Sequence, residues 1–250
     1  MPWIKKEYDC GNMKFVERKY ASRYGAKKEV AHIIKKEAEN KTTEIQQWVN
    51  DRNAMKRFAI LANANFKEDD YFITYTFRRG TIPPSVRECK KLWAKFRRKM
   101  RKVYKKAGID FKYLYVFEHE GVRPHFHMLF NNDGINIKDM PKWEYGTPKI
   151  IPLDNREYHT IGEYFVKCVY DMEKGEYRPK GEIGSSRGNL FRPEPTITVL
   201  EGPDWNDIPE EEEGYEIDYD SLENGYIEVV ENRLSFRYQS YRLMKQKIIA

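Results

Sequence analysis

"FKYLYVFEHEGVRPHFHMLF", residues 111–130, decides the fold. Two runs rich in aromatic and aliphatic residues flank "HEGVR", a short connection carrying Gly121. Such a pattern predicts two strands, 111–118 and 124–130, paired as an antiparallel hairpin. Side chains alternate along a strand with period two, so His125 and His127 share one face and Phe126, Met128 and Phe130 the other. Two imidazoles on one face are the start of a metal site, or else two hydrogen-bonded histidines under a loop. Glu118 ends the first strand, and the hairpin carries it toward the same end as the pair. Two imidazoles and one carboxylate leave positions open on a divalent cation, as a catalytic centre requires, and the set admits Mg²⁺, Mn²⁺ or Zn²⁺. His119 and Glu120 stand beside Glu118 and could replace it.

Working outward, "YFITYTF" (71–77) reads as a buried strand and "RRGTIPP" as a loop. Ser85 caps a long helix that Gly108 stops. Val86, Cys89, Trp93, Phe96, Met100 and Val103 form its apolar stripe, and the opposite side is almost solid Lys and Arg. Strand, helix, strand, turn, strand gives an α+β fold, an antiparallel central sheet with flanking helices. Upstream, 27–62 shows apolar residues at three- and four-residue spacing and predicts two helices. Downstream, "GTPKIIPL" fits a short edge strand, "TIGEYFVKCVYDMEKG" (160–175) a helix, and "YRPKGEIGSSRGNLFRP" a basic loop. The acidic stretch 201–225 predicts a linker or partly disordered arm, with a final strand and helix beyond it. Three parts are expected: an N-terminal helical segment (1–66), a central domain (67–200) and an acidic arm with a C-terminal extension (201–250).

Charge is uneven along the chain. The net formal charge is +6, yet residues 1–200 hold 40 Lys and Arg against 26 Asp and Glu, while 201–250 hold 5 against 13. A basic body fits a polyanionic partner, most often nucleic acid. Cys10, Cys89 and Cys168 are scattered, without the spacing of a disulfide framework or a cysteine metal site. The opening "MPWIKKEYDC" lacks a signal-peptide core, and no run reaches the roughly 18 apolar residues of a spanning helix. A cytoplasmic location is expected.

On the 160–175 helix, Ile161, Phe165, Cys168, Val169 and Met172 define the buried stripe. Tyr164 lies about 100° from Phe165, with Lys167 one turn on and Asp171 close behind. A tyrosine there can rest its ring on the core and aim its hydroxyl at a sheet, and a lysine one turn away favours phenolate and phosphate charge.

"FITYTF", "EHEGVRPHFHMLF" and "YFVK", in that order, resemble the three motifs of the HUH endonucleases, closest to the rolling-circle replication initiators of small single-stranded DNA phages and plasmids. "RNAMKRFAILANANF" and "GSSRGNLFRP" resemble segments flanking those motifs, so the resemblance spans about residues 45–195. It implies that Glu118, His125 and His127 hold a divalent metal, Mn²⁺ or Mg²⁺ before others. It implies Tyr164 as nucleophile and Lys167 as the lysine of Y-x-x-K. Many relatives carry a second tyrosine where Cys168 stands, which speaks against a two-tyrosine mechanism; Tyr158 is a weaker rival nucleophile.

The activity so implied is nicking and rejoining of single-stranded or hairpin origin DNA, leaving a 5′-phosphotyrosine link and a free 3′-hydroxyl. Arg123 and Arg187 are placed, by charge and position alone, to hold phosphates. The chain contains no G-x-x-x-x-G-K-[ST] run, so a host helicase and a polymerase are the expected partners, and no membrane is. Three alternatives stay open at this point. One is an HUH transposase or a relaxase, although the third histidine usual in relaxases is not evident. Another is a non-catalytic nucleic-acid-binding sheet in which "YLYVF" stacks bases. A structural zinc protein is disfavoured by the lack of a fourth soft ligand.

Overall fold

The computed structural model describes residues 2–21, 44–119, 122–151, 160–169, 181–229 and 234–246. The chain divides into two compact units, Met1–Ile45 with Pro193–Ala250, and Gln46–Arg192. No described helix is long and apolar enough to cross a membrane.

In the Gln46–Arg192 unit, helix α1 (Glu44–Asn63) precedes β3 (Tyr71–Thr76), α2 (Val86–Ala107), β4 (Tyr113–Glu118), β5 (His125–Phe130), β6 (Pro148–Ile151), α3 (Ile161–Val169) and β7 (Gly181–Ser185). The sheet runs β6-β3-β5-β4-β7, with every neighbouring pair antiparallel. The expected hairpin is present, with Glu118 opposite His125 and Val116 opposite His127. On its other side β5 pairs β3, which places Thr74 opposite His127. The α+β class read from the sequence is the observed one.

Strand alternation gives this sheet two different faces. Tyr75, Tyr113, Phe117, Phe126, Met128 and Phe130 turn toward α2, whose Cys89, Trp93, Phe96, Met100 and Tyr104 close the core over them. Phe126 is sandwiched, its ring stacked on Trp93 at 4.1 Å and on Phe117 at 4.2 Å. Helix α2 starts where expected, because Ser85 Oγ accepts from the Glu88 amide, and it stops at Gly108, whose φ of 74° suits a residue without a Cβ. Tyr104 belongs to the buried stripe, whereas Val86, at the open first turn, is exposed.

The opposite face carries Phe72, Thr74, Val116, His125, His127 and Leu129, and α3 packs against it, with Phe165 edge-on to Phe72. Helix α1 backs α3 through Phe58 and Phe165. Its polar end is tied to the final segment of this unit. Asn65 donates to the Phe191 carbonyl and accepts from the Phe191 amide, so the two flanking sequences noted above meet through one side chain.

The other unit is a second antiparallel sheet, β8-β1-β2-β10-β9, of β1 (Trp3–Asp9), β2 (Met13–Tyr20), β8 (Thr196–Leu200), β9 (Tyr215–Val229) and β10 (Leu234–Lys245). It corrects several expectations. Residues 3–20, placed in a helical segment, form a hairpin; its alternation is masked by charged residues along both strands, with Lys6 facing Glu17 and Asp9 facing Lys14. Residues 215–225, read as linker or disordered arm, lie in β9. Two of their carboxylates have partners across the β9–β10 pair: the buried Asp218 pairs with the buried Arg242, and Ser240 donates to Glu223. Residues 234–245, where the closing helix is expected, form a strand throughout. In the first unit, residues 181–185 of the expected basic loop form edge strand β7. An edge strand with few apolar residues leaves little pattern to read. The first of the two helices expected over 27–62, and the 170–175 end of α3, lie outside the described residues.

Candidate cation site

Glu118, His125 and His127 converge: one ligand atom from each lies within 4.8 Å of the other two. The Nε2 atoms of His125 and His127 are 3.1 Å apart. Glu118, itself buried, brings Oε1 to 3.1 Å from His127 Nε2 and Oε2 to 3.6 Å from His125 Nε2. The pairing of β4 with β5 produces this directly, because Glu118 and His125 are register partners and His127 lies two residues along the same face.

The outer nitrogens are held as well. His125 Nδ1 donates to the Arg123 carbonyl at 2.8 Å, which fixes the tautomer and leaves the Nε2 lone pair pointing inward. His127 Nδ1 lies 3.0 Å from Thr74 Oγ1. Burial holds the His125 imidazole below its usual range against the opposing hydrogen bond to the Arg123 carbonyl, and so favours the neutral form that a metal ligand requires.

The donor set fits a divalent cation. Two nitrogens at about 2.0–2.1 Å from a metal, subtending about 90–109°, stand about 2.8–3.4 Å apart, and the observed separation falls in that interval. In the tautomer that donates from His127 Nδ1 to Thr74 Oγ1, three lone-pair groups face one another, an arrangement that a cation relieves.

His119 does not join the site. It follows Phe117 on the other face, its ring 4.9 Å from Phe117 and its Nε2 3.9 Å from Glu182. That leaves Glu118 as the carboxylate of the described cluster; Glu120 lies outside the described residues.

Tyr164 is half-buried on α3, on the histidine face of the sheet. Its ring meets Phe72 edge-on at 5.4 Å, and the His127 ring lies 6.0 Å from the same Phe72. Its approach is set from α1. Thr160 caps α3 by accepting from the Glu163 amide, and Asn63 accepts from the Gly162 amide and donates to Thr160. A Cβ on Gly162 would come within 2.3 Å of Asn63 and 2.6 Å of the Ala59 carbonyl, so only glycine permits this contact. Lys167 lies on the same helix; its side chain, Tyr158 and Asp171 are outside the described residues. Arg123 is exposed at the start of β5, beside the site through its carbonyl. Arg187 is not with them. It follows β7 and lines a groove with Tyr113 and Tyr115, on the other face of the sheet.

Sequence reasoning missed Thr74, Asn63 and Gly162. Thr74 left one signal, a polar residue inside "YFITYTF" on the parity of Phe72, but only the register with His127 gives it meaning. Asn63 and Gly162 left none, because their contact spans almost a hundred residues.

Fold and site together describe an antiparallel α+β domain that presents a two-histidine, one-carboxylate cluster on the sheet face against which the Tyr164-bearing helix packs. Residues 70–174, somewhat under half of the chain, match the model of a family described as replication-associated protein ORF2/G2P. That family agrees with the rolling-circle initiator group that the ordered motifs resemble. The match begins at β3 and includes the cluster, Tyr164 and Lys167, and excludes Arg187 and the whole β8-β1-β2-β10-β9 sheet. No curated protein and no solved structure matches the chain.

Proposed function

We propose that this protein initiates rolling-circle replication by nicking single-stranded origin DNA through Tyr164. One observation carries the reading: the cluster of Glu118, His125 and His127 shares a sheet face with the helix that bears Tyr164, inside the stretch matched to replication-associated proteins. Glu118, His125 and His127 would hold Mn²⁺ or Mg²⁺, and a bound cation supplies Lewis acidity toward a non-bridging phosphate oxygen.

The chain's own residues do the rest. The Tyr164 phenolic oxygen attacks phosphorus; a Tyr–O–P bond forms as the P–O3′ bond breaks. The phenolic proton is balanced by the one taken up at the departing 3′-oxygen, which becomes the primer hydroxyl. One phosphoester replaces another, so rejoining needs no nucleotide. Lys167 offsets negative charge near phenolate and phosphate, and Arg123 holds a neighbouring phosphate. A helicase and a polymerase act downstream on the opened strand.

The test is a denaturing gel of the protein mixed with origin-containing single strands and Mn²⁺. A covalent adduct should form, vanish with chelator and be absent from Tyr164→Phe, while that variant keeps its DNA affinity. An adduct that persists in Tyr164→Phe removes Tyr164 as nucleophile. A protein that binds DNA, forms no adduct and is indifferent to chelator is a binding module instead.

A further inference from the structure

The face of the sheet opposite the His125 and His127 pair has a groove of its own. It encloses about 910 Å³ between α2 and the β7 edge. Arg97, Arg101 and Lys105 line one wall, and Arg187 and Asn189 belong to the other side. The three α2 residues are spaced four apart, so they form one row with about 6 Å of rise between successive cations. Arg101, Lys105 and Arg187 are exposed, and no acidic side chain pairs with them among the described residues. Other cations of the same helix differ: Lys90 pairs with Glu182, Lys91 with Glu88 and Lys99 with Glu144. One carboxylate, Asp110, also lines the groove.

The groove is built rather than incidental. Arg97 lies over the rings of Tyr115 at 4.7 Å and Tyr113 at 5.4 Å, and it donates from Nη1 to the Tyr113 hydroxyl at 2.8 Å. Those contacts fix the guanidinium. Arg97 Nε and Asn189 Oδ1 are nevertheless buried without a hydrogen-bond partner, in two residues that line the groove. Gly184 keeps the floor clear, because a Cβ there would stand 2.3 Å from the Tyr115 ring.

We infer that this groove is a second nucleic-acid contact, holding the phosphate backbone of a single DNA strand on the sheet face opposite the cation site. A row of cations one turn apart, with no acidic partner among the described residues, suits successive phosphates of an extended strand, and a fixed guanidinium loses little freedom on binding. The inference rests on the reading that this protein handles DNA, and not on chemistry at Tyr164. It gives Arg187 a role on the face away from the scissile phosphate.

The experiment is fluorescence anisotropy of the full chain with labelled oligo(dT) in EDTA, across a salt series. Arg101→Ala/Arg187→Ala should weaken binding about tenfold at low salt and flatten the salt slope by about 0.7 per lost contact. Arg98→Ala/Lys102→Ala removes the same charge from exposed neighbours outside the groove and should stay within about twofold of the parent, the expected range for a surface change outside the contact. His125→Ala/His127→Ala should retain the parent's affinity in EDTA while losing the adduct, which separates failure here from failure at the cation site. The inference is overturned if the parent does not bind in EDTA, if the two arginine-containing double variants weaken alike, or if neither changes. It is also overturned if free thymidine monophosphate displaces the strand at comparable concentration, since the groove would then be a mononucleotide site.

Discussion

One sheet carries two unlike surfaces. On the α3 side, polar groups are few and converge on one point: Glu118, His125 and His127, each histidine steadied by an outer partner. On the α2 side, aromatic rings pack edge to face and stack, and charge is confined to the helix exterior and the β7 groove. The difference shows how one hairpin serves stability and chemistry together. Odd and even positions of the same six residues of β5 face different solvents, so Phe126 builds the core while its neighbours on either side form a ligand pair.

That contrast can be broken on either side. Replacing both histidines with alanine should abolish divalent-cation binding, a loss beyond about a thousandfold, or about 4 kcal/mol, by titration calorimetry with Mn²⁺. The thermal unfolding of that variant in EDTA should match the parent, because the pair is not in the aromatic core. Phe126→Ala attacks the other side. It removes a ring stacked between Trp93 and Phe117 and should cost about 3–5 kcal/mol in denaturant unfolding.

Smaller changes sharpen the contrast. Thr74→Val keeps the shape of the strand but removes the partner of His127 Nδ1, and should lower cation affinity by about 10- to 100-fold with stability nearly unchanged. Ser85→Ala removes the α2 cap and should cost about 1 kcal/mol of stability, leaving cation affinity untouched.

Much of the first face was legible from residues alone. Period-two alternation placed His125 with His127, and a short connection brought Glu118 to their end of the hairpin. What alternation cannot supply is the strand on the far side, so Thr74 became visible only once β3 paired with β5. The choice between Glu118 and His119 likewise needed the strand to continue its alternation one residue past its end, which turns His119 toward Glu182. Arg187 was grouped with Arg123 by charge, and charge has no direction; the pairing of β7 with β4 assigns it to the other face. The β9 and β10 strands were hidden for a related reason. Hydropathy scores a carboxylate as exposed whether or not a partner strand neutralises it, and Asp218 against Arg242 is neutralised.

The central claim is that Tyr164 and the histidine cluster act on one phosphorus atom. The direct measurement is peptide mass spectrometry of the protein after reaction with origin single strands and Mn²⁺, followed by nuclease trimming. The account predicts a nucleotide joined by its 5′-phosphate to Tyr164, and an unmodified Tyr164 when Glu118→Gln replaces the parent. A nucleotide carried by another tyrosine, or a Tyr164 adduct formed equally well by Glu118→Gln, would contradict it.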